Sequence, residues 1–202
     1  MFHEPFDVLD LQRWHEVEVR RRTRYTLDVQ DGEGRVKATS HDGASILLCP
    51  FRYDAGRYPW LSWRWRVDQL VHGEDLAHKS GADASARVYV YFDTSTLPWQ
   101  KRNLDYVWSA TQPVGAVLPS PYSSHSKAIV VESGPAHLGA WQSMARNVEA
   151  DYRRCFGQDP PDVVAIGLMA DTDNTHSDAV AFFDDLQVSR QAPPAASHDA
   201  PR

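Results

Sequence analysis

Cysteine is scarce in this chain: Cys49 and Cys155 are the two present among 202 residues. A disulfide-built scaffold is thereby excluded. The pair is read as two free thiols packing as small hydrophobes, with a single bridge as the alternative. Long apolar runs are missing too, and none approaches the ~20 residues that a membrane-spanning helix needs. The opening MFHEPFDVLD lacks the basic and apolar stretches of an export signal. Cytosolic residence is the default expectation, with a trimmed signal as the other reading. Basic charge is in deficit, 21 Lys and Arg against 27 Asp and Glu, and a net charge of −6 argues against a nucleic-acid binder. Catalytic signatures are absent: no G-x-S-x-G, no H-E-x-x-H, no P-loop and no C-x-x-C occurs. The histidines lie scattered without ligand spacing, so no transition-metal site is expected.

What the chain does have is aromatic and apolar bulk. A hydrophobic fraction of 42% and an aromatic fraction of 11% suffice for a core, which excludes global disorder. Residues 1–190 read as one domain, and the Pro/Ala-rich stretch 191–202 reads as a disordered tail.

The most informative segment is WLSWRWRVD at 60–68. Side chains alternate across a strand, so Leu61, Trp63, Trp65 and Val67 form an apolar face. Trp60, Ser62, Arg64 and Arg66 form the other. Two guanidinium groups side by side on a sheet repel unless an anion answers them. Alternation recurs at 84–93, 104–110 and 128–132. Residues 25–40 read as a hairpin around Asp31-Gly32-Glu33-Gly34, and 44–49 as a strand ended by Pro50. The apolar run 163–171 reads as a buried central strand, and 180–188 as the closing one.

One helix is predicted near residues 142–156. Met144, Val148, Tyr152 and Phe156 recur at a spacing of four, Gly157 is a natural cap, and Pro160-Pro161 cannot continue it. Many strands with a single helix predict an all-β, antiparallel β-sandwich, most plausibly a jelly roll.

The ordered blocks WLSWRWRV, GADASARVYVYFD, DYVWS, RNVEADYRRCFG, DTDNT and AFFDDLQV resemble a bacterial domain-of-unknown-function family, number 3047, over roughly residues 6–190. The resemblance implies a galactose-binding-like, carbohydrate-binding-module-like sandwich and supplies no activity. Members of that family are often exported, which points to the periplasm as the other localisation. Sandwiches of this type commonly hold a structural calcium between an N-terminal loop and the final strand. Asp7 with Asp185 are the ligands so implied; no other cofactor is expected.

Besides Asp7 and the adjacent Asp184 and Asp185, of which one can face such a calcium, three constellations are candidates for function. If the strands at 60–67 and 84–93 pair, Arg64, Arg66, Arg87, Tyr89 and Tyr91 share one face, with Asp83 and Asp93 at its ends. Flat rings suit sugar C–H surfaces, and guanidinium groups take hydroxyls or carboxylates in pairs. The competing reading has the arginines neutralised by Asp83, Asp93, Asp105 or Asp171. The run Asp171-Thr172-Asp173-Asn174-Thr175 is either a turn closed by its own side chains or the rim of a site, with a hard cation as a further possibility. Arg146 and Asp151, five apart, do not form a favoured intrahelical pair. The basic stretch Arg20 to Arg24 reads as a solvated edge.

The function expected is a non-catalytic module that binds a saccharide or other polar or anionic small ligand on the Arg/Tyr face, using Arg64, Arg66, Asp83, Arg87, Tyr89, Tyr91, Asp171, Asp173 and Asn174. The first alternative is a hydrolase or lyase acting on an acidic polysaccharide. The second is a structural or envelope protein that binds another chain.

Overall fold

The computed structural model describes residues 2–194. The tail expected over 191–202 lies outside the described residues from 195 onward. Among the described residues there are thirteen strands, one α-helix and a short 3-10 turn at Pro98–Gln100: β1 (Phe2–Glu4), β2 (His15–Arg20), β3 (Arg24–Gln30), β4 (Glu33–His41), β5 (Ala44–Tyr53), β6 (Trp60–Gln69), β7 (Ala84–Phe92), β8 (Asn103–Ser109), β9 (Val117–Pro119), β10 (Ser126–Ser133), β11 (Gln142–Asn147), α1 (Val148–Phe156), β12 (Val163–Asp171) and β13 (Asp178–Ser189). They form a two-sheet sandwich. One sheet runs β11-β6-β13-β4-β3, with β1 also on β13; the other runs β2-β5-β12-β7-β8-β10-β9. The jelly-roll sandwich expected from alternation is the fold observed.

Alternation explains the core. Leu61, Trp63, Trp65 and Val67 of β6 face inward and are buried. Trp63 meets Tyr106 at 5.4 Å between ring centroids and Trp65 meets Trp108 at 5.9 Å, so the two sheets touch through these rings. Ala86, Val88, Val90 and Phe92 of β7 and Ile166 and Leu168 of β12 complete the interface. β12 is the buried central strand expected, flanked by β5 and β7. The 25–40 hairpin forms as β3 and β4, with Asp31 and Gly32 both at positive φ in the turn. Cys49 and Cys155 are free thiols.

Three features differ from expectation. β5 does not end at Pro50 but continues to Tyr53. Pro50 lies beyond the residues paired with β2, so the N–H that proline lacks is not needed on that side. The helix does not begin at 142: residues 142–147 form β11, paired along β6, and the spacing of Met144 is coincidental. Asn147 starts the helix by accepting the Ala150 N–H at 2.9 Å, and Gly157 in the left-handed region ends it. Because Arg146 sits on the strand and Asp151 on the helix, the intrahelical spacing argument does not apply. They pair, with Arg146 Nε 2.9 Å from Asp151 Oδ2, and Tyr106 donates to the same carboxylate at 2.9 Å. This clasp anchors α1 to the sheets.

The third difference is a parallel pair. β10 runs parallel to β8, which requires a crossover of a dozen or more residues. Residues 110–125 supply it, carrying β9 on the way and leaving 119–122 over the outer face of the seven-stranded sheet.

Candidate ligand cleft on the seven-stranded sheet

The expected pairing of strands 60–67 and 84–93 does not occur. β6 pairs with β11 and β13, whereas β7 pairs with β12 and β8 in the opposite sheet. Arg64 and Arg66 therefore face outward on one side of the sandwich, and Arg87, Tyr89 and Tyr91 on the other. Each strand alternates as expected; the sheet assignment separates them.

On the six-stranded sheet the two arginines are answered internally. Arg64 lies 3.3 Å from Asp185 and 4.0 Å from Asp184, with its guanidinium 5.0 Å from the Trp141 ring centre. Arg66 pairs with Asp68 at 2.8 Å and sits 4.1 Å from the Phe182 ring centre. Asp185 occupies a bulge with φ of 49°, between the stretches of β13 that pair with β4 and with β1. Asp7 is exposed, and the close three-carboxylate group found among the described residues does not include it or Asp185. Because Arg64 is 32% exposed, Arg64→Ala should cost under ~1 kcal/mol in urea unfolding. A loss several times larger would mean that it holds the sheet together.

The other face carries a cleft of about 380 Å³. Its floor is the outward row of the central strands: Ile46 on β5, Met169 on β12, Arg87 and Tyr89 on β7, Asp105 on β8 and Ala128 on β10. Tyr89 lies opposite Gly167, where an added Cβ would come 2.7 Å from Ile46 Cγ2, so the floor beside the ring stays bare. Tyr91 stacks on Tyr89 with ring centroids 5.6 Å apart and planes 22° off parallel, which extends the aromatic surface along β7. Three loops rim the cleft: 76–83, 119–122 and 173–174. Tyr122 crosses between two of them, its hydroxyl donating to the Lys79 carbonyl at 3.1 Å.

Beneath the rim lies a charged network. Arg87, buried, donates through Nε to Asp171 at 2.8 Å, through a terminal nitrogen to Asp105, and through the other to the Ala82 carbonyl at 2.7 Å. The neutralisation expected from Asp105 and Asp171 thus exists, within the cleft. Asp83 is fully buried and accepts from the Asn174 and Thr175 N–H groups and the Thr175 hydroxyl. The Asp171–Thr175 run is therefore both a braced turn and a rim. Asp93 is elsewhere, held by Arg52 and Lys101.

Burial governs the titration of these carboxyls. Asp171 is pushed up to about 7 by desolvation, with Arg87 pulling it down and Asp83 raising it. Asp105 and Asp173 are raised for the same first cause, and Asp184 is pushed up to about 6 by burial and then by Asp185. An unfolded aspartate titrates near ~3.9. Asp171 and Asp184 therefore keep their protons to higher pH folded than unfolded, and the folded state binds more protons between about pH 4 and 7. Stability falls as pH rises through that window. Thermal unfolding followed by circular dichroism should show the melting temperature decreasing from pH 5 to pH 8, whereas a rise would contradict these environments.

The cleft gathers Arg87, Tyr89, Asp171, Asp173 and Asn174 of the expected site, with Asp83 behind it and Tyr91 beyond it. Asp105, Tyr122 and Arg20 also line it. Asp105 was legible as an outward residue between the inward Leu104 and Tyr106. Arg20, read as solvated edge, stands 4.0 Å from Asp173. Tyr122 lies in the crossover and carries no periodic signal.

A family model described as a protein of unknown function (DUF3047) matches residues 12–187. The chain belongs to this family. No curated protein sequence matches it significantly. Among solved structures, it is similar to the family 30 carbohydrate-binding module of a cellulosomal cellulase of Clostridium thermocellum, with TM-score 0.51 and 11% identity over 89% of this chain and 92% of the module. It is also similar to the cellulose-induced protein Cip1, with TM-score 0.53 and 11% identity over 95% of this chain and 98% of that one. At such identities the likeness establishes the fold alone. Among the described residues, no helix is long and apolar enough to cross a membrane.

Proposed function

We propose that this chain is a saccharide-binding module whose ligand lies in the cleft on the seven-stranded sheet. The observation that carries the reading is the coincidence of a stacked Tyr89–Tyr91 surface with a polar floor whose groups are held rigid before any ligand arrives. Sugar rings offer C–H faces to aromatic rings and hydroxyls to fixed donors and acceptors, and pre-ordering the polar groups lowers the cost of binding. Two solved folds of this shape come from a carbohydrate-binding module and a cellulose-induced protein, which agrees with the reading at the level of fold. Arg64 and Arg66 have no part in this site.

The charge of the cleft weighs against an acidic polysaccharide. Asp105, Asp171 and Asp173 line it against Arg87 and Arg20, and Arg87 already serves two of the carboxylates. A uronate would meet three acidic groups and, as an unengaged guanidinium, only the exposed Arg20 at the rim, and this weakens the main argument for an acid-specific hydrolase or lyase.

Titration calorimetry against oligosaccharides tests the proposal. Tyr89→Ala should weaken binding by about 10-fold or more, on the scale of losing one stacked ring. The melting temperature should stay close to that of the parent, because Tyr89 stands on the outer face and not between the sheets. Unchanged affinity in a folded Tyr89→Ala protein would remove the cleft as the site.

A further inference from the structure

The buried carboxyl groups under the cleft outnumber the buried cations. Asp83, Asp105, Asp171 and Asp173 are 0%, 2%, 5% and 8% exposed, and Arg87 is the one buried cation among them. Arg20 approaches Asp173 only at 4.0 Å and is itself 59% exposed. Buried carboxylates persist when they are paired or given a cation. A second, separate observation concerns Asp105. It lines the cleft, its Oδ2 is taken by Arg87, and its buried Oδ1 has no hydrogen-bond partner. An acceptor so placed calls for a donor from a ligand.

We infer that the saccharide bound here carries a free amino group, its ammonium held at the Asp171–Asp173 end of the cleft. The inference rests on the saccharide reading above and names the class of sugar. Asp171 and Asp173 line the cleft and Asp83 lies behind them, each with an oxygen within 4.8 Å of the others, so the positive group sits beside three acidic groups and draws Asp171, which burial holds protonated up to about pH 7, toward its ionised form. Two cations compete for such a place, a metal ion and an ammonium.

The metal fits poorly. Calcium takes ~6–8 oxygen ligands, yet both Asp83 oxygens already accept from the 174–175 backbone and Asp171 Oδ1 is held by Arg87 at 2.8 Å. An ammonium needs only three acceptors. The sugar bearing it can also rest a ring against Tyr89 or Tyr122 and give a hydroxyl to Asp105 Oδ1. An N-acetylated sugar presents neither the charge nor the three donors, and a uronate presents the wrong sign.

Calorimetry on the full chain at pH 6 and low salt, with EDTA present throughout, separates these cases. The probes are glucosamine oligomers, N-acetylglucosamine oligomers of equal length, cello-oligosaccharides and oligogalacturonate. Glucosamine oligomers should bind about 10-fold or more tighter than their acetylated counterparts, as expected for a charged group paired inside a cleft. That margin should shrink as salt rises. Asp173→Asn, which removes a rim carboxylate whose nearest cation is Arg20 at 4.0 Å, should bring the ratio toward one. Equal affinity for the two oligomers would overturn the inference and leave the saccharide reading standing. Binding of no saccharide would overturn both. Binding restored only when calcium replaces EDTA would overturn the ammonium assignment and make the cluster a metal site.

Discussion

Trp63→Ala should remove a large share of this protein's stability. The ring is 2% exposed, lies 5.4 Å from both Trp65 and Tyr106, and belongs to the contact between the two sheets. Truncating a buried Trp removes its transfer energy and leaves a cavity that the rigid sheets cannot close, at a cost of ~3–5 kcal/mol. A domain of this size is commonly stable by ~5–15 kcal/mol, so the loss is a large fraction of the total. The expected outcome is a melting temperature lower by about 8–15 °C, or no cooperative transition at all. Trp99→Ala is the control: that ring is 73% exposed, and its removal should change stability by no more than ~0.5 kcal/mol. Similar effects for the two substitutions would mean that the inter-sheet packing is wrong.

Arg87→Ala should be nearly as damaging, for an electrostatic reason. The guanidinium is buried between Asp105 and Asp171 and also satisfies the Ala82 carbonyl. Removing one member of a buried ion pair costs ~3–5 kcal/mol, because it strands the partner's charge away from water. Here two carboxylates are stranded. Both are already raised by burial, and without Arg87 they rise further. The penalty should therefore be largest at pH 8 and shrink as pH falls toward 4, where the folded carboxyls are protonated. Adding Asp105→Asn and Asp171→Asn should recover part of the loss at neutral pH. A penalty that is independent of pH and unaffected by the two asparagines would mean that Arg87 acts through packing alone.

These two residues show how differently the sequence speaks. Trp63 was assignable from alternation alone, since period two along 60–67 separates an apolar row from a charged one whatever sheet the strand joins. Arg87 was assignable to an outward row by the same rule, but its burial was not. It is buried because the 76–83, 119–122 and 173–174 loops close over it, and nothing in the local pattern of β7 records that cover. The helix boundary failed for a related reason. Residues 142–147 have apolar spacing compatible with a helix, and the open edge of β6 decided that they pair as β11.

What the sequence determined by itself was the face of each side chain, the sandwich class, the hairpin at Asp31-Gly32, the central strand at 163–171 and the helix stop at Gly157. Each follows from local rules: pleat alternation, the positive φ that glycine allows, and the length of an apolar run. Only the tertiary structure decided which faces share a sheet. It parted Arg64 and Arg66 from Arg87, joined Arg146 to Asp151, and brought Asp83, Asp105, Asp171 and Tyr122 around one cleft. Strand order and crossover path are set by long-range pairing and burial summed over the whole chain. No window of a few residues contains that sum.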